Sequence, residues 1–409
     1  MREKRRVLLL TSNFSPEPTG IGPYASDLAE IIQKENFDVT VLTTFPHYPW
    51  WKIQGGLEAN EIVSNSDIEI RIQRVKNFVK NDSGIFTRFR YELSLLKSML
   101  LGVIRLPKNY SAVVAIIPSV AAGYVGIFAS RLQRVPLGIV VHDLSGVGSI
   151  ESGRVKSRAF SRLLEIIEAQ VLKSADKIVV ISGPMRNYVT GTLHTSSIDT
   201  ILNYPLHTIR PKNKIESRRS LGWNEDKFIL IHSGNIGMKQ DLANVVEAAR
   251  LLEHYEGIQI YIIGNGNKQS EVELAVKRLQ NIKHIPTLEF DEYVEALSAA
   301  DAFILNERKT VSTMCLPSKL NSYLQLSKPI VAAVSRFSAS GVYSRDFALM
   351  AAPGDPKDLA DKILELNESN EMRSFYSRKA RNFANRFLDS NNSRCQYAFW
   401  VNSLLDSGA

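Results

Sequence analysis

Short, continuously apolar runs alternate with helical patterns along most of the chain. The runs of the first half lie at residues 6–11, 38–44, 68–72, 112–117, 137–142 and 177–182. Those of the second half lie at residues 227–232, 258–263, 281–286, 301–306 and 329–334. Strands that are apolar throughout and separated by helices are typical of a parallel sheet covered on both faces. The pattern therefore predicts an α/β protein with two Rossmann-like, doubly wound parallel-sheet domains.

A polar stretch without periodicity, residues 203–217, separates the two series of strands and contains two prolines. We therefore predict an N-terminal domain at residues 1–203 and a C-terminal domain at 204–390. A chain of 409 residues is too long for one compact core and suits two domains. Ligands of such sheets bind beyond the carboxyl ends of the strands, so the expected site is a cleft that both domains face.

Composition excludes several classes of protein. Apolar residues make up 44% of the chain and charged residues 22%, as in ordinary globular proteins. Two cysteines far apart provide neither a disulfide framework nor a metal-ligand cluster, so we expect a reducing, cytoplasmic setting. Residues 111–130 are the one candidate membrane span, but Pro118, Gly123 and Gly126 favour a strand followed by a helix.

The basic residues are concentrated in the N-terminal half. The formal net charge is +8, and the first 205 residues carry 24 Lys/Arg against 18 Asp/Glu. This excess is modest for binding nucleic acid but suits an anionic membrane surface or an acidic ligand. Residues 84–108 mix large apolar side chains with Arg88, Arg90 and Lys97. Such a helix either lies on an anionic bilayer, at the inner face of the plasma membrane, or packs on the core with a solvated basic face.

A lysine at the start of a predicted helix is the first candidate for chemistry. Pro317 suits the first helical position, so Lys319 would lie where the helix dipole disfavours cations. The N–H groups of Ser318, Lys319 and Leu320 could together bind a phosphate. The Lys319 ammonium would dominate, because a charge-assisted hydrogen bond contributes about 1.5–3 kcal/mol and a helix terminus about 0.3–1 kcal/mol. The alternative is a solvated lysine on a helix.

A second lysine follows another strand, in the loop at residues 232–242. Gly234 and Asn235 precede Lys239, and Asp241 is expected to cap the next helix. Lys239 could reach the diphosphate that Lys319 binds, and the alternative is an exposed lysine on a turn.

The loop after the first strand contains Gly20 and Gly22, which let the backbone approach a ligand closely. Ala25 stands where a dinucleotide-binding loop has its third glycine, so a nicotinamide site is disfavoured. We interpret the segment as a substrate-facing glycine loop, with an ordinary strand–helix turn as the alternative.

Two other strand ends carry candidate residues. Gly264 opens a glycine- and asparagine-rich turn that is uninformative by itself. His142 and Asp143 end a predicted buried strand, where they could bind a sugar hydroxyl, transfer a proton or cap the next turn. The chain has no Walker A, G-x-S-x-G, H-E-x-x-H or D-x-D motif, so we expect no cofactor and no metal-bridged diphosphate.

Several of these segments occur together in one known order. They are "SPEPTGIGPYASDLAEII", "HDL", "SADKIVVIS", "SGNIGMKQDLANVVEAA", "IIGNGN", "LSAADAFIL" and "LPSKLNSYLQLSKPIVAA". In this order they resemble glycosyltransferase family 4, the retaining sugar-nucleotide transferases of GT-B fold. The resemblance covers nearly the whole chain, and it is strongest to the bacterial colanic-acid and O-antigen subgroup, which includes fucosamine transferases.

The resemblance implies two facing Rossmann-like domains, with the donor held mainly by the C-terminal one and the acceptor by the N-terminal one. It also implies that a final helix, at about 391–409, packs back on the first domain through Phe399 and Trp400. By motif match, Lys239 falls on the family's phosphate-binding lysine. Leu288 falls where backbone contacts to the base are expected.

The chain also matches the family in its glycine loop and differs from it at two positions. Gly20, Ile21 and Gly22 match the family's glycine loop over the donor diphosphate. Two glutamates of many members are replaced here by Met314 and Ser322. Ribose recognition must therefore differ, and the Ser322 hydroxyl is the candidate for it.

We expect a retaining, metal-independent glycosyltransferase of surface polysaccharide biosynthesis. It would move a sugar from a nucleotide-diphospho-sugar, most simply UDP-linked, to a saccharide or polyprenyl-diphosphate-linked acceptor. The alternatives are a sugar-nucleotide epimerase, a non-catalytic nucleotide-sugar-binding protein and a nicotinamide dehydrogenase. The expected catalytic residues are His142, Asp143, Lys239 and Lys319. The expected donor-binding residues are Gly20, Ile21, Gly22, Gly234, Asn235, Gly264, Leu288, Ser318, Leu320 and Ser322.

Overall fold

The computed structural model describes residues 4–65, 68–80, 84–144, 158–193, 198–310 and 316–407. The chain divides into two compact units. Unit 1 comprises Met1–Leu202 and Ser390–Ala409, and unit 2 comprises Asn203–Asp389.

Within the described residues, unit 1 is built on an eight-stranded sheet in the order β3-β4-β2-β1-β5-β6-β7-β8. Neighbouring strands are parallel, except that β3 runs antiparallel to β4. The strands are β1 (Arg6–Leu10), β2 (Asp38–Thr44), β3 (Asn60–Asn65), β4 (Ile68–Val75), β5 (Ala112–Ile117), β6 (Leu137–Val141), β7 (Lys177–Val180) and β8 (Ile198–Thr200).

The helices of unit 1 connect these strands. They are α1 (Gly22–Lys34), α2 (Ile85–Arg105), α3 (Val120–Gln133), α4 (Arg158–Lys173), α5 (Gly183–Leu193) and the terminal α14 (Ser390–Asp406). Every residue of β5 and β6 is buried, as their uniformly apolar sequences require of central strands covered on both faces.

Unit 2 has, within the described residues, a six-stranded parallel sheet in the order β11-β10-β9-β12-β13-β14. Its strands are β9 (Phe228–Ser233), β10 (Ile258–Ile263), β11 (Ile282–Ile285), β12 (Ala302–Asn306), β13 (Ile330–Ala333) and β14 (Leu349–Ala351). Its helices are α6 (Lys214–Ser220), α7 (Leu242–Leu251), α8 (Gln269–Val276), α9 (Phe290–Ala299), α10 (Ser318–Gln325), α11 (Ala339–Ser344), α12 (Pro356–Glu368) and α13 (Asn370–Phe387).

The predicted α/β class with two parallel-sheet domains is confirmed. All eleven predicted strands are present, and β3, β8 and β14 were not predicted. These three lie at the edges of their sheets, where burial does not impose an apolar run. In β3, for example, Ile62 is largely exposed. The predicted linker is partly wrong, because α6 begins within it at Lys214.

The candidate membrane span is the strand β5 followed by the helix α3, as predicted. In the part of the chain that the structure describes, no helix is both long and apolar enough to cross a bilayer.

The terminal helix α14 packs within unit 1. Trp400 is buried, and a side chain at Gly138 of β6 would come within 2.7 Å of its ring. Arg394 binds Asp27 of α1 through two nitrogens, with Nη2 2.6 Å from Oδ1 and Nε 3.0 Å from the same oxygen. The expectation that Phe399 also packs is wrong, because its side chain is 77% exposed.

Candidate active site

Among the candidates in unit 2, Lys319 lies half-buried in the first turn of α10. Its ammonium lies 3.0 Å from His232 Nε2, at the end of β9. The lysine stem lies across Gly234, where an added Cβ would be 3.2 Å from Lys319 Cε and 3.5 Å from Nζ. The side chain therefore follows the carboxyl edge of the sheet, and a larger residue at 234 would displace it.

The imidazole of His232 is fully buried and oriented by two contacts. Nδ1 lies 3.1 Å from the carbonyl oxygen of Ile304, so it carries the proton and donates it. Nε2 is then the acceptor that faces Lys319. Burial, and secondly the Lys319 charge, lower the pKa of His232 well below its ordinary value, so the ring stays neutral. The neutral ring holds the lysine without repelling it.

The surroundings of Lys319 disfavour its protonated form. Burial lowers the pKa of Lys319 to about 8, and the Glu307 carboxylate opposes that shift. Glu307 follows β12, is buried, and accepts a 2.8 Å hydrogen bond from the Ser340 hydroxyl. An anionic ligand would restore the preference for the ammonium form. The geometry thus suits a cation that binds an anion at the sheet edge.

Two glycine loops of unit 2 pack backbone against backbone. Gly264 has φ +137°, and an added Cβ would lie 2.1 Å from the carbonyl oxygen of Gly234. At Gly266 the added Cβ would lie 2.2 Å from the carbonyl oxygen of Ile236. Gly264 and Gly266 are therefore required for the loop at residues 232–242 to keep its shape. This explains a turn that was uninformative when considered alone.

A chain of hydroxyl groups fixes the end of β9. Tyr323 Oη accepts from the backbone N–H of Ser233 at 2.7 Å, and Ser233 Oγ lies 3.0 Å from Tyr293 Oη. Ser322, the predicted ribose contact, hydrogen-bonds Tyr293. Burial raises the pKa of Tyr293, so its hydroxyl stays protonated and can donate.

Lys239 lies in the loop that Gly234 opens and is partly buried. Among the described residues its ammonium makes no hydrogen bond or ion pair, while its carbonyl oxygen accepts from the Arg308 N–H at 2.8 Å. Asn235 of the same loop is exposed. Asp241 is the N-cap residue of α7, as predicted, but it has φ +46° and its side chain makes no capping hydrogen bond. Asn306 Nδ2 holds this part of the loop instead, by donating to the Asp241 carbonyl at 3.0 Å.

The start of α10 differs from the prediction by one residue. Pro317 is the N-cap and Ser318 the first helical residue, and no side chain caps the helix. The Leu320 N–H donates to the Pro317 carbonyl at 3.0 Å, so it does not project freely as predicted. Leu288 is partly buried against the core of unit 2. Met314 lies outside the described residues.

In unit 1 the glycine loop is tied to the segment after β2. Glu17 is buried, and its Oε1 accepts from the backbone N–H groups of His47 at 2.7 Å and Tyr48 at 2.9 Å. A Cβ at Gly20 would lie 3.0 Å from the Tyr48 ring, and one at Gly22 would lie 3.1 Å from Glu17 Cβ. Ile21, between the two glycines, is the N-cap of α1.

His142 and Asp143 follow β6 at the same edge of the unit 1 sheet. The His142 ring is buried 5.4 Å from the ring of Tyr24, and burial lowers the pKa of His142 to about 4. The imidazole is therefore neutral near pH 7 and suits hydrogen bonding better than donating a proton. Asp143 Oδ1 accepts from the Leu144 N–H at 2.9 Å. This contact corresponds to the third predicted role of the pair, capping the next turn.

Sequence reasoning missed four polar residues of these edges, Glu17, His232, Tyr293 and Glu307. His232 and Glu307 could have been identified, because each is a polar residue at the end of a buried strand or directly after one. Glu17 and Tyr293 gave no such signal, because they act through folded-state contacts with residues more than 25 positions away. Among the described residues, no group of three or more His, Cys, Asp or Glu side chains is placed to hold a metal ion.

Two protein-family models match the chain. Residues 19–197 match the model described as "Glycosyl transferase 4-like domain". Residues 213–383 match the model described as "Glycosyl transferases group 1". Each match therefore lies entirely within one unit.

One similar curated protein is WcaI of Escherichia coli strain K12, named for glycosyl transfer in colanic acid biosynthesis. It is 22% identical over an alignment of 407 residues, and the match covers 96% of this chain and 98% of that protein.

Solved structures share the fold over nearly the whole chain. Sucrose-phosphate synthase from Thermosynechococcus elongatus superposes with a TM-score of 0.74 at 15% identity, covering 98% of this chain and 100% of that one. Anabaena HepE, in complex with UDP-glucose, superposes with a TM-score of 0.66 at 15% identity, covering 97% of this chain and 99% of that one.

Proposed function

Because the chain belongs to glycosyltransferase family 4 and has the GT-B fold, we propose that it transfers a sugar from a UDP-sugar to a saccharide acceptor. HepE structures in complex with UDP and with UDP-glucose support the UDP-linked donor. The name of the Escherichia coli relative supports a role in surface polysaccharide biosynthesis. The acceptor is a saccharide, free or linked to a polyprenyl diphosphate.

The observation that carries this proposal is the Lys319 ammonium at the carboxyl edge of unit 2, 3.0 Å from His232 Nε2 and with its stem over Gly234. In the proposed reaction, charge grows on the leaving diphosphate, and Lys319 stabilises it with help from the Lys239 ammonium and the Ser318 N–H. Preorganised groups aimed at developing charge usually make the largest contribution to catalysis. Gly234, Asn235 and Gly264 shape the loop around the phosphates, and Leu288 and Ser322 contact the nucleoside.

The test is donor turnover by a Lys319→Met variant, which keeps most of the methylene stem. We expect turnover to fall by about a hundredfold or more, on the scale of losing one stabilising donor. Lys357→Ala is the matched control, because that lysine is 80% exposed on α12 of the same unit and pairs with Asp361. Near-normal turnover by Lys319→Met would remove Lys319 from the mechanism.

Two finer features belong to the proposal and follow from the family. The transfer retains the anomeric configuration, and the diphosphate is stabilised by lysines rather than by a bridging metal ion. His142 and Asp143 position the sugar or the acceptor hydroxyl, with His142 neutral. The product anomer, read by proton NMR, and the rate after exhaustive EDTA treatment test these two features. An inverted anomer or a rate lost with EDTA contradicts them.

A membrane-bound acceptor is supported by α2. One face of the helix packs inward through Tyr91, Leu95, Met99 and Val103. The opposite face exposes large apolar side chains together with basic ones. They are Phe86, Phe89, Leu93 and Ile104, with Arg90, Lys97 and Arg105. A solvated basic face alone would not carry these apolar groups, so we propose that this face lies on an anionic bilayer.

Vesicle flotation tests the bilayer contact. We expect the native protein to float with phosphatidylglycerol vesicles, and Ile104→Glu to lose this binding. Ile62→Glu is the control, because Ile62 is an equally exposed isoleucine of unit 1 that lies on β3. Binding that persists in Ile104→Glu, or no binding by the native protein, contradicts the bilayer contact.

A further inference from the structure

The segment after β2 presents aromatic rings at the surface of unit 1. We define the aromatic loop as residues 46–54, which the Gln54 N–H closes by donating to the Pro46 carbonyl at 2.8 Å. It holds two of the four tryptophans of the chain. Trp50 is 48% exposed, whereas Trp400 is buried and Trp223 stacks on Tyr261. An exposed tryptophan on a closed loop is a candidate contact for a ligand.

Buried polar contacts hold the aromatic loop from below. The Glu17 carboxylate binds two consecutive N–H groups of the loop, those of His47 and Tyr48. The His47 ring is itself buried, with Nδ1 3.0 Å from the Phe45 carbonyl and Nε2 3.3 Å from Tyr91 Oη. The Glu17 carboxylate thus fixes the backbone of this surface loop at His47 and Tyr48, directly before the exposed Trp50.

Trp51 is strained in this arrangement. Its φ is +51°, a left-handed conformation that bulky residues rarely adopt. Its ring packs edge-on against that of Tyr48, with centroids 5.8 Å apart, and near that of His47 at 6.2 Å. Strain that the surroundings maintain is concentrated at functional sites.

The aromatic loop lies against the glycine loop of unit 1. Tyr48 Cε1 is 3.0 Å from the position of a Cβ at Gly20. The two loops follow β2 and β1, which are adjacent parallel strands, so both lie at the carboxyl edge of the sheet. The half-buried Tyr48 ring, two residues before Trp50, therefore adjoins the glycine loop that the family motif places over the donor diphosphate.

We propose that the aromatic loop is the saccharide-acceptor subsite, in which a pyranose ring stacks on Trp50. A pyranose has an apolar C–H face and a hydroxyl edge, and the negative face of an aromatic ring attracts such C–H groups. The loop carries one charged side chain, Lys52, so its surface suits a neutral sugar better than a phosphate. This inference rests on the proposed function, since a glycosyltransferase requires an acceptor, and it names the surface that binds it.

The test uses saturation-transfer NMR with the full-length protein. The probes are methyl glycosides and disaccharides of glucose, galactose, mannose and N-acetylglucosamine. We expect saturation of saccharide C–H protons by the native protein, and affinity about tenfold weaker in Trp50→Ala. Trp50→Phe, which keeps an aromatic face, should recover part of it. Phe399→Ala is the matched control, because Phe399 is an exposed aromatic of unit 1 that lies on the terminal helix.

UDP binding, measured in parallel, separates this inference from the proposed function. We expect Trp50→Ala to bind UDP as the native protein does, which also shows that the variant is folded. Failure of the native protein to bind UDP contradicts the proposed donor site, and the saccharide measurements still decide this inference. Unchanged saccharide affinity in Trp50→Ala, or no binding of any probe by the native protein, overturns it. So does a Trp50→Ala variant that loses only vesicle binding, which would make the loop a lipid contact.

Discussion

At the carboxyl edge of the unit 2 sheet, a half-buried lysine lies against a loop whose backbone touches the next loop directly. At the same edge of unit 1, the buried histidine is neutral and the exposed groups are aromatic. Both edges come from parallel sheets in which polar residues follow buried strands. The fold therefore supplies the position of each site, and the loop residues determine which ligand chemistry it accepts.

The difference also lies in how each edge is stabilised. In unit 2, Gly264 allows the backbones of two loops to touch. The missing side chain at Gly234 leaves space for the Lys319 stem. Unit 1 uses the Glu17 carboxylate to bind N–H groups of a loop with large side chains. A diphosphate needs donors close to the backbone, whereas a sugar ring needs a flat apolar surface. The predictions below test this contrast, beginning with the largest expected effect.

Of the substitutions considered, Gly264→Ala should disrupt the carboxyl edge of the unit 2 sheet most. The new Cβ would meet the Gly234 carbonyl at 2.1 Å in a backbone conformation that alanine disfavours. We expect a loss of about 3–5 kcal/mol in the free energy of unfolding, from the clash and the strain together. Urea denaturation followed by circular dichroism measures it, and UDP binding should weaken in parallel.

Gly257→Ala is the control for this substitution. Gly257 is also in unit 2, before β10, and an added Cβ would meet nothing within 4 Å. We expect its stability to stay within about 0.5 kcal/mol of the native value. If Gly264→Ala is as mild as Gly257→Ala, the close approach of the two loops is not needed.

The pH dependence of kcat/KM for the donor should report Lys319. Because the pKa of Lys319 is lowered to about 8, the ammonium form predominates below that pH and is lost above it. We expect kcat/KM to fall by about tenfold per pH unit above 8. His142, with its pKa lowered to about 4, should add no transition near neutrality.

Lys319→Arg provides the comparison for the pH profile. Arginine keeps its charge to high pH, so the alkaline fall should disappear even if the absolute rate is lower. A fall at the same pH in Lys319→Arg would assign the transition to another group.

A smaller effect is expected where the terminal helix joins unit 1. Removing the Arg394–Asp27 pair with Arg394→Met should lower the stability of unit 1 by about 1 kcal/mol, because the pair is only partly shielded from water. UDP binding by unit 2 should not change. Arg131→Met, an exposed arginine of α3, is the control in the same urea titration. A loss of UDP affinity in Arg394→Met would mean that UDP binding by unit 2 depends on the terminal helix of unit 1.

Much of the fold could be predicted from apolar runs, because central parallel strands must be buried on both faces. The strands β5 and β10 match their predicted bounds, and the missed β3 and β14 lie at sheet edges. A short edge strand needs no apolar run, so periodicity gives no sign of it. The exposed Phe399 was mispredicted because an aromatic residue alone does not tell which side of a helix faces the core.

The site residues that a single loop identifies could be predicted from the sequence, whereas contacts between loops could not. Lys319 was identified from its place at a helix start, without the His232 ring that orients it. The contact of Gly264 with Gly234 joins residues 30 positions apart, and the Glu17–His47 bond does the same in unit 1. Neither pairing leaves a local pattern in the sequence. The aromatic loop likewise became a candidate only when the exposure of Trp50 was known.

Calorimetric titration with UDP and with uridine tests the central assignment most directly. If the Lys319 ammonium binds the diphosphate, the native protein prefers UDP, and Lys319→Met loses about tenfold or more of that preference while its affinity for uridine is kept. A preference for UDP over uridine that is equal in the native protein and in Lys319→Met would contradict the account.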